Sequence, residues 1–87
     1  MTTITISVHR DSVFLDCVNH AGDYDVCTII STLCRVLALQ TEPTVYEPGH
    51  VKIIDDHASE ETKAVFRAVE RTMRDAAEAH PEHITIY

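Results

Sequence analysis

His20 and Cys27 are the two side chains of this sequence whose types and spacing suit covalent chemistry. They bound the segment His20-Ala21-Gly22-Asp23-Tyr24-Asp25-Val26-Cys27, which joins an apolar alternating stretch to a helical one. A thiol is a poor nucleophile until it is deprotonated, and a nearby imidazolium and a helix N-terminus both favour the thiolate. Reading Asp25 as the N-cap puts Cys27 near the second position of the helix, close to the positive end of its dipole. The backbone amides of Cys27 and Thr28 would then be free to stabilise an oxyanion. Six intervening residues are enough for the chain to fold back and bring imidazole and thiol together. A nucleophile, a base and amide donors are the minimum set for acyl transfer. The same spacing also fits a plainer arrangement, in which Cys27 packs as a small hydrophobe and His20 is a solvated loop residue.

The elements that must position this pair are legible from periodicity. Ile4, Ile6 and Val8 alternate with Thr5, Ser7 and His9, the pattern of a strand with one buried face. Arg10-Asp11-Ser12 forms a short polar connection and Val13–Val18 resumes a β-rich apolar run, so residues 2–18 are predicted to form a hairpin. Asn19–Asp25 breaks the pattern. A helix follows, with Val26, Ile29, Ile30, Leu33, Val36 and Leu37 at helical spacing, and it ends before Pro43. Only Thr28, Ser31, Thr32 and Arg35 make a polar stripe, so three sides of this helix want burial, in the core or against a second copy.

Thr44–Glu47 and His50–Asp55 are strand candidates around a Pro48-Gly49 turn. Ser59 caps a second helix with Glu60 and Glu61 in its first turn. Its predicted inner stripe is Val65, Val69, Met73 and Ala76, with Phe66 and Ala77 beside it. Lys63, Arg67, Glu70, Arg71, Arg74 and Asp75 are assigned to a solvated outer face. Pro81 stops the helix, and His83–Tyr87 alternates again with Ile84 and Ile86 inward. The expected fold is α+β, in the order ββαββαβ: a small mixed or mainly antiparallel sheet with two helices packed on one face.

Composition narrows the classes of function. Eighty-seven residues, 45% hydrophobic and 24% charged, make one folded domain. A net charge of −7 disfavours a nucleic-acid backbone as partner and favours a basic protein or peptide. The apolar stretch Val26–Leu39 is too short and too polar for a bilayer span, and the opening MTTITISVHR lacks the basic start and apolar block of a secretion signal. Three cysteines, Cys17, Cys27 and Cys34, form no CxxC and suit free thiols in a reducing cytoplasm. The six histidines show no HxH or HExxH spacing, so neither a metal nor any other cofactor is expected.

The segment from His20 to Ser31 resembles the signature of the ribosomal-processing cysteine protease (Prp) family. That signature runs Gly-His-Ala-Gly, a glycine-containing loop, then Asp-Ile-Val-Cys-Ala-Ala-Val-Ser. His20-Ala21-Gly22, Val26-Cys27 and Ser31 match it, and His80-Pro81-Glu82-His83-Ile84-Thr85-Ile86 is similar to the family's closing Tyr-Pro-x-Tyr-Ile-x-Ile. The resemblance spans nearly the whole chain and marks a divergent member. Asn19 replaces the glycine before the histidine, and the loop before Cys27 is shorter by several residues. Tyr24, flanked by Asp23 and Asp25, stands where the family has its aspartate, and Thr28 and Ile29 replace two alanines.

Carried over, the resemblance implies His20 as general base, Cys27 as nucleophile and Gly22, Asp23 and Tyr24 in a loop that admits substrate. Ser31, one turn beyond Cys27, would orient substrate or imidazole, or else bond back to a helix carbonyl. Asp25 is a helix cap or an orienter of the imidazole. Cys17 and Cys34 have no counterpart in the family and are read as packing residues, Cys34 on a face shared with Cys27. The implied activity is a cytoplasmic, homodimeric cysteine endopeptidase that removes an N-terminal extension from a ribosomal large-subunit protein or processes a phage structural protein. The alternatives are a catalytically lapsed relative that binds a protein through the same groove, and a redox-sensing thiol protein.

Overall fold

The computed structural model describes residues 1–87 as seven elements. They are β1 (Thr2–Val8), β2 (Val13–Val18), α1 (Tyr24–Ala38), β3 (Val45–Glu47), β4 (His50–Asp55), α2 (Glu60–Ala79) and β5 (Ile84–Ile86). Order, number and type match the sequence reading. One five-stranded sheet has the order β3-β4-β2-β1-β5. All pairs are antiparallel except β1 with β5, which lie parallel after the β4–α2–β5 excursion. The sheet is therefore mixed and mainly antiparallel.

The register explains why only one face is covered. Ile4 lies opposite Cys17 and Ile6 opposite Leu15, and across the next pair Cys17 meets Val51 and Leu15 meets Ile53. Because side chains alternate along a strand, these residues share a face. They join Val26, Ile30, Cys34 and Leu37 of α1 and Phe66, Val69 and Met73 of α2 in one core cluster. Both helices thus pack on the same side. The opposite face, with Thr5, Phe14, Asp16, Lys52 and Ile54, carries no helix and is half-buried or exposed.

Within the chain α1 is buried along one side only. Ile29 and Val36 remain 41% and 38% exposed, and Leu39 at its C-cap 72%. Neither helix is long and apolar enough to cross a membrane. In α2 the Ser59 cap is as expected, its hydroxyl accepting from the Thr62 amide at 3.1 Å. The inner stripe is rotated from the predicted one: Thr62, Phe66, Val69 and Met73 are buried, while Val65 and Ala76 are only half-buried.

Lys63 corrects the reading of the charged face. It is 5% exposed, and its ammonium donates to the Arg10 carbonyl in the β1–β2 connection and to Glu60 Oε1 at 2.7 Å. The long stem lies in the core margin while the charged head bonds at the rim. The rest of that face behaves as expected, with Arg74 Nε donating to Glu70 at 3.0 Å.

Lys63→Ala should therefore cost about 1–2 kcal/mol in urea unfolding, from a stranded carbonyl and lost stem packing. Arg67→Ala on the exposed side should stay within about 0.5 kcal/mol. Equal effects would return Lys63 to the solvated face.

Candidate active site

The chain has five residues, Asn19–Asp23, in which to turn from β2 into α1. Asn19 takes a left-handed backbone with φ 71°, and Gly22 follows with φ 85°. Asparagine is among the few residues with a side chain that enter this region readily, which explains how it stands in the place of a glycine. The Asn19 amide donates to the Gly49 carbonyl at 2.8 Å, tying the turn to the tip of the β3–β4 hairpin. That tip is the expected Pro48-Gly49 turn, with Gly49 at φ 81°.

The start of α1 lies two residues earlier than the sequence suggested. Asp23, not Asp25, is the N-cap: its backbone is extended and its Oδ1 accepts from the Val26 amide at 3.1 Å. A cap must leave helical dihedrals while its side chain reaches forward to a free amide, and Asp25 already lies inside the first turn. Cys27 is consequently the fourth helical residue rather than the second. Its own amide donates to the Asp23 carbonyl at 2.9 Å, the first bond of the helix ladder. The amides of Cys27 and Thr28 are therefore not free to serve an oxyanion.

Another amide reaches the Cys27 thiol. The Ala21 N–H points at Cys27 Sγ from 3.3 Å. Ala21 is itself 2% exposed, and its carbonyl accepts from His83 Nδ1 at 2.9 Å. The His20 imidazole lies over Gly49, where a Cβ would come within 3.3 Å of Nε2. No hydrogen bond joins His20 to Cys27 in this arrangement, although both line one cleft of about 420 Å³.

One wall of that cleft is the hairpin segment Tyr46–Val51; the other is α1 with Cys27, Ile30, Ser31 and Cys34. Ser31 makes no hydrogen bond. Its neighbours Thr28 and Thr32 do bond back, to the Tyr24 and Thr28 carbonyls at 2.9 and 2.8 Å. The Ser31 hydroxyl is thus open to the cleft. Gly22, Asp23, Tyr24 and Asp25 stand outside the lining, with Tyr24 84% exposed.

Thr2, Cys17 and Cys34 close the cleft floor, a role that sequence reasoning did not give them. Cys17 is 7% and Cys34 2% exposed, and the Thr2 hydroxyl lies 3.5 Å from Cys17 Sγ. The adjacent Cys34 thiol, helped by Thr2, lowers the Cys17 thiol to about 7 against the pull of burial. Cys34 is pushed up, first by its contact with Cys17 and then by burial. Alternation along β2 and the position of Cys34 one heptad after Cys27 were the available signals. On the far face of the sheet, His50 Nε2 and Asp16 Oδ1 lie 2.9 Å apart, a pair that no sequence spacing announced. No three His, Cys, Asp or Glu side chains converge to hold a metal ion.

The essential ribosomal-processing protease Prp from S. aureus, solved with a covalently linked product peptide, superposes with a TM-score of 0.65 at 21% identity. The match covers 99% of this chain and 97% of that one. The chain has the Prp fold. SMU.848 from Streptococcus mutans also matches, with a TM-score of 0.67, 24% identity, and 99% and 95% of the two chains covered. No family model matches the sequence, and no curated protein matches it. In this chain a strand–turn–helix junction lies beside a hairpin tip, and the cleft lies between them.

The cap assignment is open to direct measurement. Asp23→Ala should lower stability by about 1 kcal/mol and Asp25→Ala by only a few tenths in chemical unfolding. The reverse order would restore Asp25 as the cap. At the turn, Asn19→Gly should be tolerated. Asn19→Val should cost about 1–3 kcal/mol, because a β-branched residue resists φ 71°.

Proposed function

We propose that this protein is a divergent cysteine endopeptidase of the Prp family, with Cys27 as nucleophile and His20 as general base. The observation that carries the reading is the contact at the nucleophile. A half-buried thiol in the first turns of a helix receives a backbone N–H at 3.3 Å, in a cleft that also contains a histidine. An N–H donor stabilises a thiolate, and the helix dipole adds to it.

In the reaction, His20 swings from its seat over Gly49 towards Cys27 and takes the thiol proton. The thiolate adds to the scissile carbonyl, the imidazolium returns the proton to the leaving amine, and water then hydrolyses the thioester. Hydrogen bonds of this kind are often unmade before substrate binds, so the resting separation is compatible with the role. Ser31, free of a helix carbonyl, faces the cleft where it can orient the substrate or the imidazole.

The substrate class follows from charge and from resemblance together. A chain of net charge −7, with Glu47 in the cleft wall, suits a peptide that is basic beyond the cleaved bond. The N-terminal extension of a ribosomal large-subunit protein is such a substrate, and a phage structural protein is the alternative within the same activity. The reading also places the protein in the cytoplasm as a homodimer, and the exposed Ile29 and Val36 of α1 suit a contact between copies.

A second reading has its own support. With His20 away from the thiol, the same cleft can bind a peptide without cutting it.

The deciding experiment follows the alkylation rate of each thiol against pH, in native protein and in His20→Ala, beside cleavage of an extension peptide. The expected result is fast Cys27 alkylation that slows at least tenfold without His20, and cleavage abolished by Cys27→Ala. A Cys27 indifferent to His20, with intact peptide and unchanged peptide binding in Cys27→Ala, would leave the binding module as the function.

A further inference from the structure

The geometry points to His83 as a positioning residue for the nucleophile, acting through Ala21. The inference rests on the cysteine-peptidase reading and adds to it a residue 62 positions from the Ala21 that it holds. Ala21 is the only residue whose backbone amide donates to the Cys27 sulfur. A donor helps a thiolate only if it is held on target, because N–H···S contacts weaken steeply as the angle opens. What holds Ala21 in place is therefore part of the site.

Its side chain is buried at 2% exposure, and its carbonyl is bonded by His83 Nδ1 at 2.9 Å. Gly22 follows at φ 85°, and the Ala21 carbonyl before it meets His83, the residue preceding β5. A Cβ at Gly22 would sit 3.9 Å from His83 Nδ1, an ordinary contact. The glycine is thus required by its backbone angle rather than by space.

His83 is itself well fixed. Its carbonyl accepts from the Thr2 amide at 2.9 Å and its amide donates to the His80 carbonyl at 3.0 Å. Its ring is 28% exposed, with Glu82 Oε1 3.7 Å from Nε2. The imidazole donates through Nδ1, since a carbonyl can only accept, and this selects the tautomer or charge state. β1 and β5, paired in parallel, thereby anchor the loop that precedes α1.

The test compares native protein with His83→Ala and His83→Asn, reading alkylation at Cys27 by peptide mapping at pH 7. Asparagine is the discriminating variant because its side-chain N–H₂ can occupy the place of Nδ1 while the rest of the ring is removed. In His83→Ala the Cys27 rate should fall about fivefold, the size of one lost hydrogen bond. His83→Asn should return to within about twofold of native. Amide exchange at Ala21 should speed up in the alanine variant and recover in the asparagine one, a readout that survives a modest loss of stability. Native rates in His83→Ala would overturn the inference. So would a His83→Asn as slow as His83→Ala, since the ring would then matter only as packing. These outcomes are separate from those of His20→Ala, which test whether Cys27 is activated by a base at all.

Discussion

Five residues between β2 and α1 have to reverse the chain, start a helix and leave a thiol facing a cleft, and the site depends on how they manage it. The solution uses two left-handed residues, Asn19 and Gly22, on either side of His20 and Ala21. The first lets Asn19 bond the hairpin tip at Gly49, which leaves His20 lying on that tip. The second directs the Ala21 carbonyl towards His83. Between these bends Ala21 has little freedom: a buried methyl, an amide on sulfur and a carbonyl on imidazole.

The short turn also decides which group touches the Cys27 thiol. With the cap at Asp23, Cys27 comes four positions later and the thiol sits a full turn into the helix. The Cys27 amide is then spent on the ladder, and the donor at its sulfur comes from the loop. The two carboxylates nearby, Asp23 and Asp25, occupy the positive end of the helix, where they stabilise α1 itself. The donor at the Cys27 sulfur is consequently the Ala21 amide of the preceding loop rather than an amide of α1.

Much of the architecture was legible because it is written in local periods. Strand alternation in Ile4–Val8 and Val13–Val18 and the Ser59 cap are short-range signals, and each element appears in place. The errors share a physical cause. Asp23 and Asp25 are equally good caps by residue type, and the fold separates them: Asp23 is extended while Asp25 already lies in the helix. Lys63 has the composition of a surface residue, but Arg10, far away in sequence, offers a carbonyl that its ammonium can reach. Cys17 and Cys34 read correctly as core residues, yet their joint place under the cleft comes from packing α1 on β2, which no spacing reveals.

The two motif-like segments, around His20–Cys27 and His80–Ile86, belong to one resemblance, and the fold gives them a common reason. Parallel pairing sets Ile84 beside Thr2, and the Thr2 amide bonds the His83 carbonyl. Thr2 also reaches across the sheet to the Val18 carbonyl, the last residue before the turn. A strand that pairs with β2 on one side and β5 on the other thus brings the end of the chain to the loop before Cys27. A sequence pattern can register both segments without showing that they touch. Contact requires the central strand to be in register with both neighbours at once, and a one-residue slip on either side would turn Thr2 away from the cleft and move His83 from Ala21.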